Sequence, residues 1–174
     1  LSDAFNFSNI EGRAELAVNL RLQGRTQSEL ISSADGGAHI EVVSGVLRGV
    51  DLGGVSRTIR NALRGELIAP EARTPFNGFS ATFAIADGAL ASDNLSFNTP
   101  DLRILGLGVI DLTQRRLDMR LAPRASSGGG IVIPFSARGA WAQIAYSSDI
   151  RDIALREITT RVREVKAASR AQAR

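Results

Sequence analysis

From Ala14 to Gln23 the chain alternates without a break, Ala14, Leu16, Val18, Leu20 and Leu22 on one side and Glu15, Asn19, Arg21 and Gln23 on the other. A period of two with one apolar side predicts a half-buried strand. Thr26 followed by Glu29 is a capping-box spacing, and Leu30, Ile31 and Ala34 lead to Asp35-Gly36-Gly37, so a helix of about two turns follows. Ala38, Ile40 and Val42 begin a second strand that continues loosely to Leu47. Asp51 is a good N-cap, and Leu52, Val55, Ile59 and Leu63 recur at helical spacing, with Arg57, Arg60 and Arg64 on the other side and Gly65 closing the element. Residues 66–75, with Pro70 and Pro75, read as a connecting loop.

From Phe76 onward turn chemistry marks nearly every joint. Phe79, Ala81, Phe83 and Ile85 alternate up to Asp87-Gly88, a strong two-residue hairpin signal, and Ala91, Leu95 and Phe97 run on to Asn98-Thr99-Pro100-Asp101. Leu102 and Ile104 open a third strand of this series, whose Gly106 and Gly108 indicate a bulge or a close backbone approach, and which ends near Asp111. Leu117, Met119 and Leu121 make a fourth. After a flexible joint at 126–130, Ile131, Ile133, Phe135 and Ala137 make a fifth, with Pro134 pointing to an edge or bulge, and Trp141 to Tyr146 a sixth. Asp149 and Asp152 open a C-terminal helix with Leu155, Ile158, Val162 and Val165 on one stripe. The pattern as a whole predicts an α+β, β-rich fold: a curved antiparallel meander of about eight strands, with two or three amphipathic helices covering one face. Residues 1–148 form the β-rich domain, and residues 149–174 a basic amphipathic helix packed on it and frayed at its end.

Length and composition narrow this. A chain of 174 residues can bury a sizeable core without metal or disulfide. It begins at Leu1 with neither an initiator Met nor a signal segment, which reads as a piece of a longer chain. No apolar run reaches the length of a membrane-spanning helix. The net charge is +3, but residues 151–174 hold seven Arg or Lys against three Asp or Glu, so the body is nearly neutral and the tail basic. The basic helix has three readings: it covers the sheet, touches anionic lipid headgroups, or meets another subunit.

Candidate chemistry is sparse. Cys is absent, which removes thiolate metal sites and Cys nucleophiles, and the single His39 would have to serve any triad. His39 falls on the polar side of its strand beside Glu41, where a solvated surface histidine is the simpler reading. No HExxH, CxxC or clustered acid and His spacing exists. Gly106-Leu107-Gly108 lacks the third glycine of a dinucleotide loop, because position 111 is Asp. Basic residues do not interleave with stacking aromatics as single-stranded nucleic acid requires. The expectation is therefore a protein that is not an enzyme, with no catalytic, cofactor-binding or metal residues, no cofactor and no nucleic-acid partner.

Four segments in this order resemble the C-terminal region of the AsmA family: Phe76-Asn77-Gly78-Phe79-Ser80-Ala81, Ile85-Ala86-Asp87-Gly88-Ala89-Leu90, Thr99-Pro100-Asp101-Leu102-Arg103-Ile104 and Gly106-Leu107-Gly108-Val109-Ile110-Asp111-Leu112. The resemblance covers about residues 10–145, and its motifs are structural glycines and turns. It implies a periplasmic part of an inner-membrane-anchored envelope protein, linked to outer-membrane assembly and, in the wider group that includes TamB, to phospholipid transport along an apolar β-groove. Partners implied are phospholipid acyl chains or membrane and other envelope proteins; the alternative is an interaction module that docks a partner through a sheet edge or the basic helix. Eight strands at ~4.8 Å spacing and ~20 Å length present a face of roughly 760 Å². Three helices of about 9, 13 and 20 residues would shield roughly 630 Å². The chain is thus expected to cover most of its own apolar face.

Overall fold

The computed structural model describes residues 10–52, 68–127, 134–147 and 152–172, with Asn61 and Arg64 between. Among the described residues nine strands form one antiparallel sheet: β1 (Ile10–Arg21), β2 (Asp35–Val50), β3 (Ile68–Phe76), β4 (Gly78–Ala86), β5 (Ala89–Asn98), β6 (Leu102–Asp111), β7 (Arg116–Ala125), β8 (Phe135–Ala140) and β9 (Gln143–Ser147). The strand order is β1-β2-β4-β5-β6-β7-β8-β9, with β3 also pairing β2. Each strand from β5 on lies beside its predecessor, the meander that the turn spacing predicts, while β3 and β4 both pair β2.

Local signals hold where the chemistry is local. Helix α1 (Gln27–Ser32) opens on the reciprocal capping box of Thr26 and Glu29. Asp87 and Gly88 both have positive φ, 49° and 73°, the geometry of the hairpin turn that twists with its strands. Asp111 ends β6 by accepting bonds from the Gln114 amide at 2.9 Å and the Thr113 hydroxyl at 2.6 Å. Gly108 is a close-approach glycine, since a Cβ there would meet the Met119 sulfur at 2.6 Å. Of the amphipathic helix expected from Asp51 to Gly65, Val55, Ile59 and Leu63 lie outside the described residues, while Asn61 and Arg64 are helical; Ile131 and Ile133 also lie outside them.

Two expectations are corrected. Residues 68–76 are strand β3, not a loop. β2 is long enough that its first half pairs β4 and its second half pairs β3 on the same edge, so β3 and β4 follow one another along it around Asn77. Pro70 and Pro75 mark a strand that pairs only β2 among the described strands, and an edge position tolerates missing N–H groups.

The second correction concerns the helices. The register places Leu16, Ile40, Ala81, Phe97, Ile104, Pro123 and their alternates on one apolar face, and Glu15, His39, Thr82, Ser96, Arg103 and Arg124 on the other. The long C-terminal helix α2 (Asp152–Gln172) lies on the second, polar face. There Ile158 and Val162, 2% and 3% exposed, pack against Ala91 and Val109, flanked by Ala89 and Leu107. The seat is a patch of short side chains at Ala89 and Ala91, which lets a helix approach closely, whereas the apolar face presents Phe and Leu. Charge agrees: Arg161 meets Asp111 at 3.1 Å and Lys166 meets Asp93 at 2.7 Å.

Candidate functional site

α2 takes the polar face, yet the centre of the apolar face, at Val42, Ala81, Ile85, Leu102 and Ile104, is also buried, and among the described residues that face stays open along β1. At the β7–β9 end of that face, Phe135 packs with Leu121 and Tyr146, and Leu52 reaches across to join them. The Leu52 amide is held there by the Thr74 hydroxyl at 3.2 Å. Burial in this cluster pushes the Tyr146 phenol above its ordinary range. Phe76, Phe79 and Phe97 form a second aromatic group on the same face, with ring centroids 5.2 and 6.4 Å from Phe97.

At the other end the face is open. Leu16 is 65% exposed, Val18 48%, Leu20 43% and Leu22 48%. These are the residues whose alternation is clearest in the sequence. β1 is also an edge strand: β2 is its single partner among the described strands. Together these exposed residues leave the equivalent of about two whole aliphatic side chains in water, and covering that much is worth about 3–6 kcal/mol.

The single histidine is on the polar face. His39 is exposed, and its Nδ1 lies 3.1 Å from the Thr82 hydroxyl. It lines a cleft of about 700 Å³ between the end of α2 and strands β1, β2 and β4, together with Asn19, Arg21, Asp35, Thr82, Ser169 and Gln172. Contacts along this cleft are those of a docked helix: the Ser169 hydroxyl donates to the Gly36 carbonyl at 2.8 Å, and Arg21 donates to the Gln172 carbonyl at 2.7 Å. Among the described residues no group of three His, Cys, Asp or Glu could hold a metal ion. Gly106 and Gly108 lie within β6, where they make room for Leu95, Leu121 and Met119.

Asp111 has a perturbed carboxyl of structural kind. Burial pushes it up, but the Thr113 hydroxyl, the Gln114 amide and the Arg161 guanidinium outweigh that and hold it below the usual carboxylate range. Glu29 is likewise held low by the backbone amides of Arg25 and Thr26, its capping partners.

No helix of the described residues is long and apolar enough to cross a membrane. A family model described as the AsmA family matches residues 1–95, somewhat more than half of the 174-residue chain. No curated protein matches the chain, and neither does any solved structure.

Proposed function

The chain belongs to the AsmA family, and on that premise we propose that it is a non-catalytic periplasmic part of an inner-membrane-anchored bacterial envelope protein that holds phospholipid acyl chains on the open stripe of its apolar face, in lipid transport and outer-membrane assembly. One observation carries this reading: the stripe Leu16, Val18, Leu20 and Leu22 stays exposed while the long amphipathic helix packs on the opposite face. A soluble chain with a spare amphipathic helix would gain most by laying it on its largest apolar surface. This one does not. The face also has the right chemistry for acyl chains, being lined with Leu, Val and Phe and without a charged side chain along the β1 stripe. The absence of a catalytic role rests on the same layout: the histidine is paired with a threonine on the other face, away from that surface.

The test is lipid extraction and native mass spectrometry of the purified chain, alone and as V18D/L20D. Both positions face solvent, so the variant keeps its melting temperature while bound phospholipid falls at least tenfold, given the several kcal/mol the stripe offers. A wild-type chain that purifies empty and takes up no phospholipid from vesicles would sink the carrier role.

A second reading is supported by the free edge of β1, twelve residues long. Such an edge accepts an added strand from a partner protein, and the apolar stripe would be covered at the same time. Val18→Pro would then abolish capture of that partner while lipid content stays as in the wild type.

A further inference from the structure

Like charges stand directly opposite on the polar face at one acidic pair, Glu15 and Glu41 on β1 and β2, and at two arginine pairs that α2 does not cover. Arg48 and Arg73 stand directly opposite each other on β2 and β3, and Arg103 and Arg124 on β6 and β7. All four are exposed, as is Arg13 on the same face of β1. Like charges directly opposed across a ladder destabilise a sheet, so each arginine pair calls for a counter-charge. The first has part of one: Glu11 bonds both Arg48 and Arg73, which leaves one positive charge over. The second has none from the described residues. Arg103 Nε donates to the neutral Asn98 side chain at 2.9 Å, and Asp101 in the adjacent turn pairs with neither arginine.

Both pairs lie at the same end of the sheet, the end where β2 finishes and β6 begins. α2 is fastened to the other end, through Gly36, Asp93 and Asp111. The arginines thus face water on a broad sheet surface. Opposed residues in an antiparallel ladder are about 5 Å apart at Cα, close enough for two planar guanidinium forks to hold one phosphate between them. Two such positions separated across one face match an array of phosphates better than a single small anion.

We infer that this arginine-bearing end of the polar face docks on the phosphate headgroups of an anionic lipid leaflet. The inference draws on the family's association with the envelope but not on acyl-chain carriage, which belongs to the opposite face. Each surface arginine contributes about fivefold to binding of an anionic leaflet at low salt, so removing one pair lowers partitioning on the order of 20- to 30-fold.

The experiment is co-sedimentation of the 174-residue chain with phosphatidylcholine vesicles, with and without about a third phosphatidylglycerol, at low salt. Binding is expected only to the anionic vesicles, is lost in high salt, and falls by the stated factor in R48Q/R73Q and in R103Q/R124Q. R163Q/R170Q, on the outward side of α2, should bind as the wild type does; melting of R103Q/R124Q should be unchanged or raised, since a repulsion has gone, and that of R48Q/R73Q nearly unchanged, since it also loses the exposed pairs to Glu11. Equal binding to neutral vesicles overturns the proposal, as does a loss shared equally by R163Q/R170Q. Displacement by millimolar inorganic phosphate would assign the pairs to a free anion instead, and tighter binding to a short DNA duplex would assign them to nucleic acid. V18D/L20D separates the two functions, since it leaves this binding intact even if the acyl-chain reading fails.

Discussion

Replacing Ile158 by Ala should detach α2 from the sheet while the sheet survives. Ile158 is 2% exposed and sits with Val162 against Ala91 and Val109. Burying two such side chains is worth about 3–6 kcal/mol, with Val165 adding part of another. The ion pairs add little: Arg161 and Lys166 are 41% and 31% exposed, and half-solvated pairs contribute at most about 1 kcal/mol each. A 21-residue helix is marginal by itself in water, so α2 owes its order to this seat. Ile→Ala at a buried site costs about 2–5 kcal/mol, comparable with the whole apolar docking energy. Hydrogen exchange would show this as a drop in amide protection on the order of 100-fold across residues 158–172, for a loss near 3 kcal/mol, with β6 unaffected. Tryptic cleavage after Arg161, Arg163 and Lys166 should rise in parallel. A fall in β6 protection equal to that in α2 would refute the reasoning, because helix and sheet would then open as one unit. So would unchanged protection in α2.

Two further outcomes follow from local geometry. Asp111 titrates below the usual carboxylate range when folded, so its stabilisation is present above its unfolded value near ~3.9 and disappears as pH falls through the lower folded value; thermal melts from about pH 5 to 2 should therefore fall more steeply for the wild type than for D111N, and parallel curves would contradict the assignment. Gly88→Ala should lower the melting temperature more than Gly49→Ala: both sites have positive φ, 73° and 76°, costing about 1–2 kcal/mol each, but a Cβ at Gly88 would sit 2.5 Å from the Ile31 carbonyl whereas Gly49 has open space around it. Equal melting temperatures would show that α1 yields freely.

Much of the meander is legible in the chain because its signals are short-range. Alternation sets each strand's faces, Asp87-Gly88 supplies a turn of the right hand, and Thr26 with Glu29 caps α1 without help from elsewhere. β3 was harder, since Pro70 and Pro75 read as loop until the long β2 provides a partner that leaves the other edge free. The Arg48–Arg73 and Arg103–Arg124 pairs are invisible in the chain for a related reason: alternation gives each arginine its face, but which residues stand opposite depends on strand register, set for the first pair by the pairing of β3 on β2.

By itself the sequence determined which residues are apolar, that they alternate, and that a helix with an apolar stripe ends the chain. Which face that helix would cover was decided only by tertiary structure. Alanines on the polar face carry almost no hydropathy signal, yet once β4, β5 and β6 align they form a shallow seat flanked by Asp93 and Asp111, matching Arg161 and Lys166. Close packing and charge fix α2 at that seat, and the stripe at Leu16, Val18, Leu20 and Leu22 is left open.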